Sequence, residues 1–104
     1  MTIQFNTDKN IHGSETLEAE VVAKVKHGLE YFDQYVSRVE IHLSDQNAHK
    51  AGGDDIQCTL EARIEGSQPI AVTSTDGDKG KAVDLAIKKM KSALDTRVGK
   101  LKEH

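Results

Sequence analysis

From Thr2 to Asn6 the chain alternates, with Ile3 and Phe5 on one side and Gln4 and Asn6 on the other, which predicts a first strand. A turn-rich stretch, "TDKNIHGS", follows. Ser14 then stands where an N-cap is needed, with Glu15 and Glu18 suited to the positive start of a helix. Leu17, Val21, Val25, Leu29 and Phe32 recur at intervals of three or four, a helical stripe that predicts a helix ending near Asp33.

Alternation returns in "RVEIHLS", where Val39, Ile41 and Leu43 point inward and Arg38, Glu40 and His42 outward. "DQNAHKAGGDD" reads as a polar loop. "IQCTLEARI" is the clearest strand, with Ile56, Cys58, Leu60, Ala62 and Ile64 on one face. "EGSQP" predicts a hairpin turn: Gly66 supplies permissive backbone angles and Pro69 can precede a strand. "IAVTST", rich in β-branched residues, is the fourth strand. "DGD" offers Asp76 or Asp78 as a cap. Val83, Ile87, Met90, Leu94, Val98 and Leu101 then form the stripe of a last helix, with "GKLKEH" predicted to fray.

The order is β-α-β-β-β-α. Each strand has one apolar face, so one side of the sheet is dry and both helices must cover it. The fold class expected is α+β: a two-layer sandwich of one four-stranded mixed sheet with both helices on one face. The first β-α-β passage should be parallel and right-handed, the later strands antiparallel hairpins.

A chain of 104 residues is expected to be a single domain, 1–104. It holds no run of eighteen apolar residues, so no membrane partner is expected, and "MTIQFNTDKN" lacks a signal pattern, which points to the cytoplasm. The lone Cys58 excludes an internal disulfide and reads as a small buried hydrophobe. The histidines, His12, His27, His42, His49 and His104, are scattered without metal-ligand spacing. "HKAGGDD" lacks the glycine–lysine–hydroxyl order of a phosphate loop. Nothing in the pattern supports a catalytic arrangement, a metal, a cofactor or a small-molecule substrate.

Charge changes the picture. The chain carries formal charge −3, yet residues 78–104 hold eight of its fourteen lysines and arginines against four carboxylates. On a wheel of about 100° per residue, Lys81, Lys88, Lys91 and Lys102 share one flank of the last helix. Lys89 and Lys100 share the other, and Lys79 and Arg97 sit nearer the apolar stripe. Intrahelical pairs, Asp84 with Lys88 and Lys91 with Asp95, would make this an ordinary solvated face. Against that, the positive excess survives all pairing, and the first helix adds Lys24, Lys26 and His27. Cations held at fixed spacing on a helix suit the phosphates of a structured RNA. Tyr31 and Tyr35 are the only tyrosines and there is no tryptophan, so backbone electrostatics is favoured over single-strand stacking.

The segments "LEYFDQYVSRVEIHL", "STDGD" and "AVDLAIKKMKSALDTRVGKLK" resemble the short ribosome hibernation factors, also called ribosome-associated inhibitor or sigma-54 modulation (S30AE) proteins. The resemblance covers nearly the whole chain. Asp78, Ala82, Val83, Asp84, Ile87, Lys89, Leu94, Lys100 and Lys102 fit the family's last-helix pattern. The chain departs from it at Gly80, where many members carry an aromatic residue, and near Ser92, where members often carry a basic one. The resemblance is to the short members, so no additional domain of the long members is expected after "KLKEH".

The resemblance implies a stress or stationary-phase factor that sits in the decoding channel of the small ribosomal subunit. There it would overlap the mRNA and tRNA positions and block translation by exclusion, without chemistry. On that reading Lys79, Lys81, Lys88, Lys89, Lys91, Arg97, Lys100 and Lys102, with Lys24 and Lys26, contact 16S rRNA phosphates, and the free protein is a monomer. Two alternatives stay open. "DKGKAVDLAIKKM" also resembles the last helix of double-stranded-RNA-binding domains, although the extra first strand argues against them. The third is a protein-interaction module that modulates a transcription factor.

Overall fold

Alternation and β-branching produce four strands, and the two apolar stripes produce two helices, in the order expected. The computed structural model describes residues 1–9, 11, 13–46 and 55–102. The elements are β1 (Thr2–Thr7), α1 (Glu15–Gly28), β2 (Val36–Asp45), β3 (Ile56–Ile64), β4 (Ile70–Asp76) and α2 (Lys79–Lys102). The sheet is ordered β1-β2-β3-β4, with β1 parallel to β2 and the other pairs antiparallel.

Register decides which residues share the dry face. Phe5 stands opposite Ile41, Ile41 opposite Leu60, and Leu60 opposite Val72. A slip by one residue would send this whole row to solvent, so the alternation itself specifies the pairing. Both helices lay their stripes on that face. Val21, Val25 and Leu29 are buried from one side, and Val83, Ile87, Met90, Leu94 and Val98 from the other. Each such side chain contributes about 1.5–3 kcal/mol when fully withdrawn from water.

The caps follow the sequence. Ser14 Oγ accepts from Leu17 N–H at 3.0 Å. Asp78, of the two aspartates offered, caps α2: its Oδ1 accepts from Gly80 N–H at 2.7 Å and Lys81 N–H at 3.2 Å. Asp76 Oδ1 instead accepts from Asp78 N–H at 2.9 Å and shapes the approach. Gly66 adopts φ +76° in the β3–β4 turn, the conformation for which glycine is suited.

Three boundaries differ from the expectation by two residues or more. The first helix ends at Gly28, and the chain continues as a 3-10 turn, Glu30–Phe32, instead of running helical to Asp33. The tighter turn still buries Leu29 and Phe32, so the apolar stripe survives the change of helix type. β2 starts at Val36, two residues early, through an irregularity between Val36 and Arg38 that lets Ser37 Oγ donate to the Arg63 carbonyl at 3.3 Å. Finally, α2 runs on through Lys102, where fraying was expected from Gly99. Burial of Val98 and the seat of Lys102 Nζ 5.7 Å from the Tyr35 ring centroid hold that last turn. Most of the "DQNAHKAGGDD" loop (47–54), His12, His49 and His104 lie outside the described residues.

Candidate nucleic-acid interface

The two helices advance side by side in the same direction. Lys24 of α1 meets Asp84 of α2, and four residues further on Gly28 meets Ile87. This seam orients α2. The flank bearing Asp84, Lys91 and Lys102 turns toward α1, whereas Lys89 donates from Nζ to the Thr73 carbonyl of β4 at 2.8 Å, fixing the opposite flank at the sheet edge. Lys81 and Lys88 lie higher on the α1 side, pointing away from the sheet.

Lys81, Lys88 and Lys91 are exposed, and among the described residues none has an ion-pair or hydrogen-bonding side-chain partner. Neither anticipated intrahelical pair forms. Asp84 Oδ1 is taken by Lys24 Nζ at 3.1 Å across the seam, because the rotation of α2 aims that carboxylate at α1. Lys91 and Asp95 are four apart in the less favourable order, lysine first, and stay separate. Lys24 therefore neutralises one of the two aspartates that interleave the lysines, leaving four α2 lysines on this flank against Asp95.

The remaining cations divide by what they already touch. Arg97 is half-buried; its Nη1 donates to Ser67 Oγ at 2.6 Å and to the Gln68 carbonyl at 2.7 Å, clamping the β3–β4 turn to α2. Lys102 sits over Tyr35. Lys100 is exposed on the Lys89 flank, and Lys79 lies at the start of α2 beside α1. Lys26 is exposed but two residues beyond Lys24, about 200° further round α1, so it lies on the flank away from the seam. The structure thus brings Lys24, Lys81, Lys88, Lys91 and Lys102 to one ridge, separates Lys89 and Lys100 onto the β4 edge, and leaves Lys26 apart.

The wet sheet face is electrically quiet by comparison. Arg38 pairs with Glu40 at 3.3 Å and Arg63 with Glu61 at 3.6 Å, around the hydroxyl contact of Thr59 with Thr73 at 3.1 Å. Sequence reasoning missed the cross-seam pair, because which helix face meets which cannot be read from either stripe alone. It also gave Tyr31 little weight. That ring is 70% exposed on the 3-10 turn, set edge-on to buried Phe32.

Among the described residues no group of three or more His, Cys, Asp or Glu side chains could hold a metal, and no helix is long and apolar enough to cross a membrane. Cys58 is buried, and burial pushes its thiol up to about 12, which keeps it protonated and inert.

The fold recurs in solved structures. The Thermus thermophilus Protein Y N-terminal domain superposes with TM-score 0.71 at 16% identity, covering 89% of this chain and 94% of that one. A ribosomal subunit interface protein from Coxiella burnetii superposes with TM-score 0.70 at 22% identity over 100% of both chains. No curated protein matches the sequence. The family model described as "Sigma 54 modulation protein / S30EA ribosomal protein" matches residues 5–102. With nearly the whole chain inside that match, the chain belongs to the sigma-54 modulation/S30EA family of ribosome-associated, non-enzymatic proteins.

Proposed function

We propose that this protein is a cytoplasmic hibernation factor that binds the small ribosomal subunit in its decoding channel through 16S rRNA phosphates. Occupying the path of mRNA and tRNA would silence the ribosome by exclusion, so the protein needs no reacting group. The observation that carries this reading is the ridge of Lys81, Lys88 and Lys91, unpaired beside α1, in a chain whose family is ribosomal. A rigid helix spaces those cations at about 1.5 Å of rise per residue, and each phosphate they neutralise releases condensed counterions.

Lys24 and Lys102 on the ridge, and Arg97 on the β3–β4 turn, would exchange or share their present partners on contact, and Lys79 would add a cation at the start of α2. Lys89 and Lys100 on the β4 edge and Lys26 on the far side of α1 would meet RNA only where the channel wraps the domain. The negative balance of the remaining chain disfavours adhesion to arbitrary RNA, and the free protein acts as a monomer.

Sucrose-gradient sedimentation of the tagged protein from growing and starved cells tests this. Co-migration with 30S or 70S particles that fades as salt rises supports the proposal. Retention on naked duplex RNA without ribosome association would favour a double-stranded-RNA-binding role, and salt-insensitive capture by a protein would favour a modulator of a transcription factor.

A further inference from the structure

At one end of the helix seam the surface opens into a cleft of about 230 Å³ between the N-terminal halves of α1 and α2. Leu17, Val21 and Val83 are its apolar lining; Lys24, whose Nζ also holds Asp84, with Lys79 and Glu20 completes the wall. The cleft is open because residue 80 has no side chain. A Cβ there would stand 3.4 Å from Lys24 Nζ and 3.2 Å from Asp78 Oδ1, so any larger residue would project into the space between the helices. An apolar cavity of about 150 Å³ accommodates a benzene ring, which makes this one large enough for a single planar base.

We infer that the cleft receives one unpaired nucleobase of the RNA gripped by the neighbouring lysine ridge, an inference that rests on the RNA-binding reading proposed above. Three features select a base over other occupants. The floor is apolar and suits the face of a heterocycle withdrawn from its stack. Lys24 and Lys79 line the cleft and would meet the phosphates on either side of an inserted base. Glu20 supplies an acceptor for an exocyclic amino group, as carboxylates do for cytosine. The cleft is also continuous with the ridge: Lys88 lies about 12 Å along α2 from Gly80. Phosphate contacts on the ridge would set position, and the inserted base would add a preference for RNA with an unpaired residue at that point.

The test is a methyl NMR and affinity titration of the full chain with a ten-nucleotide oligocytidylate and with an abasic ribose-phosphate strand of equal length. Both strands carry the same phosphates, so the ridge alone cannot distinguish them. The expected result is about tenfold tighter binding of the base-bearing strand, with ring-current shifts at the methyls of Leu17, Val21 and Val83 that the abasic strand does not produce. In Gly80→Phe, which fills the cleft, the preference should fall below about twofold while salt-dependent binding of both strands persists. Equal affinity of the two strands for the wild-type chain, or ring-current shifts confined to other residues, overturns the inference and needs no variant. Failure of both strands to bind overturns it too; sedimentation with ribosomal particles then decides independently whether the RNA-binding reading also falls.

Discussion

Single side chains here carry consequences that their residue type does not announce. Ser74 points from β4 into the dry layer, is 5% exposed, and its hydroxyl has no hydrogen-bond partner among the described residues. An unsatisfied buried hydroxyl costs about 1–3 kcal/mol. Ser74→Ala should therefore raise stability by about 1 kcal/mol in urea unfolding; a loss of stability would mean that the hydroxyl is satisfied. Cys58 makes the opposite kind of statement. With its thiol raised from 9.0 to about 12, the folded chain keeps a proton that the unfolded chain sheds above pH 9. Stability from this group is whole below pH 9 and declines as pH climbs toward 12, at about 1.4 kcal/mol per unit. Wild type should thus lose stability relative to Cys58→Ala between pH 9 and 11, and parallel pH profiles would contradict the assignment. The cations show why residue type alone misleads: Arg97 and Lys91 are equally charged, yet one clamps a turn and the other is free for a partner.

At the scale of elements, what could be read from the chain was whatever depends on local period and local chemistry. Alternation in "IQCTLEARI" gave β3 at its observed limits, and Ser14 and Asp78 cap the helices as their positions suggested. The end of α1 was not legible, since Leu29 and Phe32 satisfy a helical stripe and a 3-10 turn equally well. The last residue of that helix, Gly28, answers to tertiary packing. A Cβ at that position would lie 2.6 Å from Ile87 Cγ2, so glycine permits the close approach of α1 to α2. Gly28→Ala should cost about 1–2 kcal/mol through overpacking, despite alanine's better helix propensity. Ile87→Leu, which removes the branched methyl, should recover part of that loss in the double variant. Additive losses would place the strain elsewhere. The lysine flank was visible on a helical wheel, but its setting was not. Only the docked helices reveal that Asp84 serves Lys24 across the seam and leaves Lys88 unpaired.

For the whole molecule, the governing feature is separation of charge between layers. Cations gather on the helical side, while the wet sheet face pairs its own charges strand by strand. Such a molecule should meet a polyanion in one orientation, and its affinity should respond to salt in proportion to the phosphates neutralised. With three to four contacts from the ridge, log K against log[salt] should slope at about −2 to −4. A flat dependence would remove phosphate binding from the account. The most direct check reverses the ridge itself. Lys88→Glu with Lys91→Glu, both exposed and unpaired, should leave the thermal unfolding of the protein within a few degrees of wild type while abolishing its co-sedimentation with ribosomal particles. A folded double variant that still sediments with ribosomes at the wild-type level would contradict the claim that this helical ridge is the ribosome-binding surface.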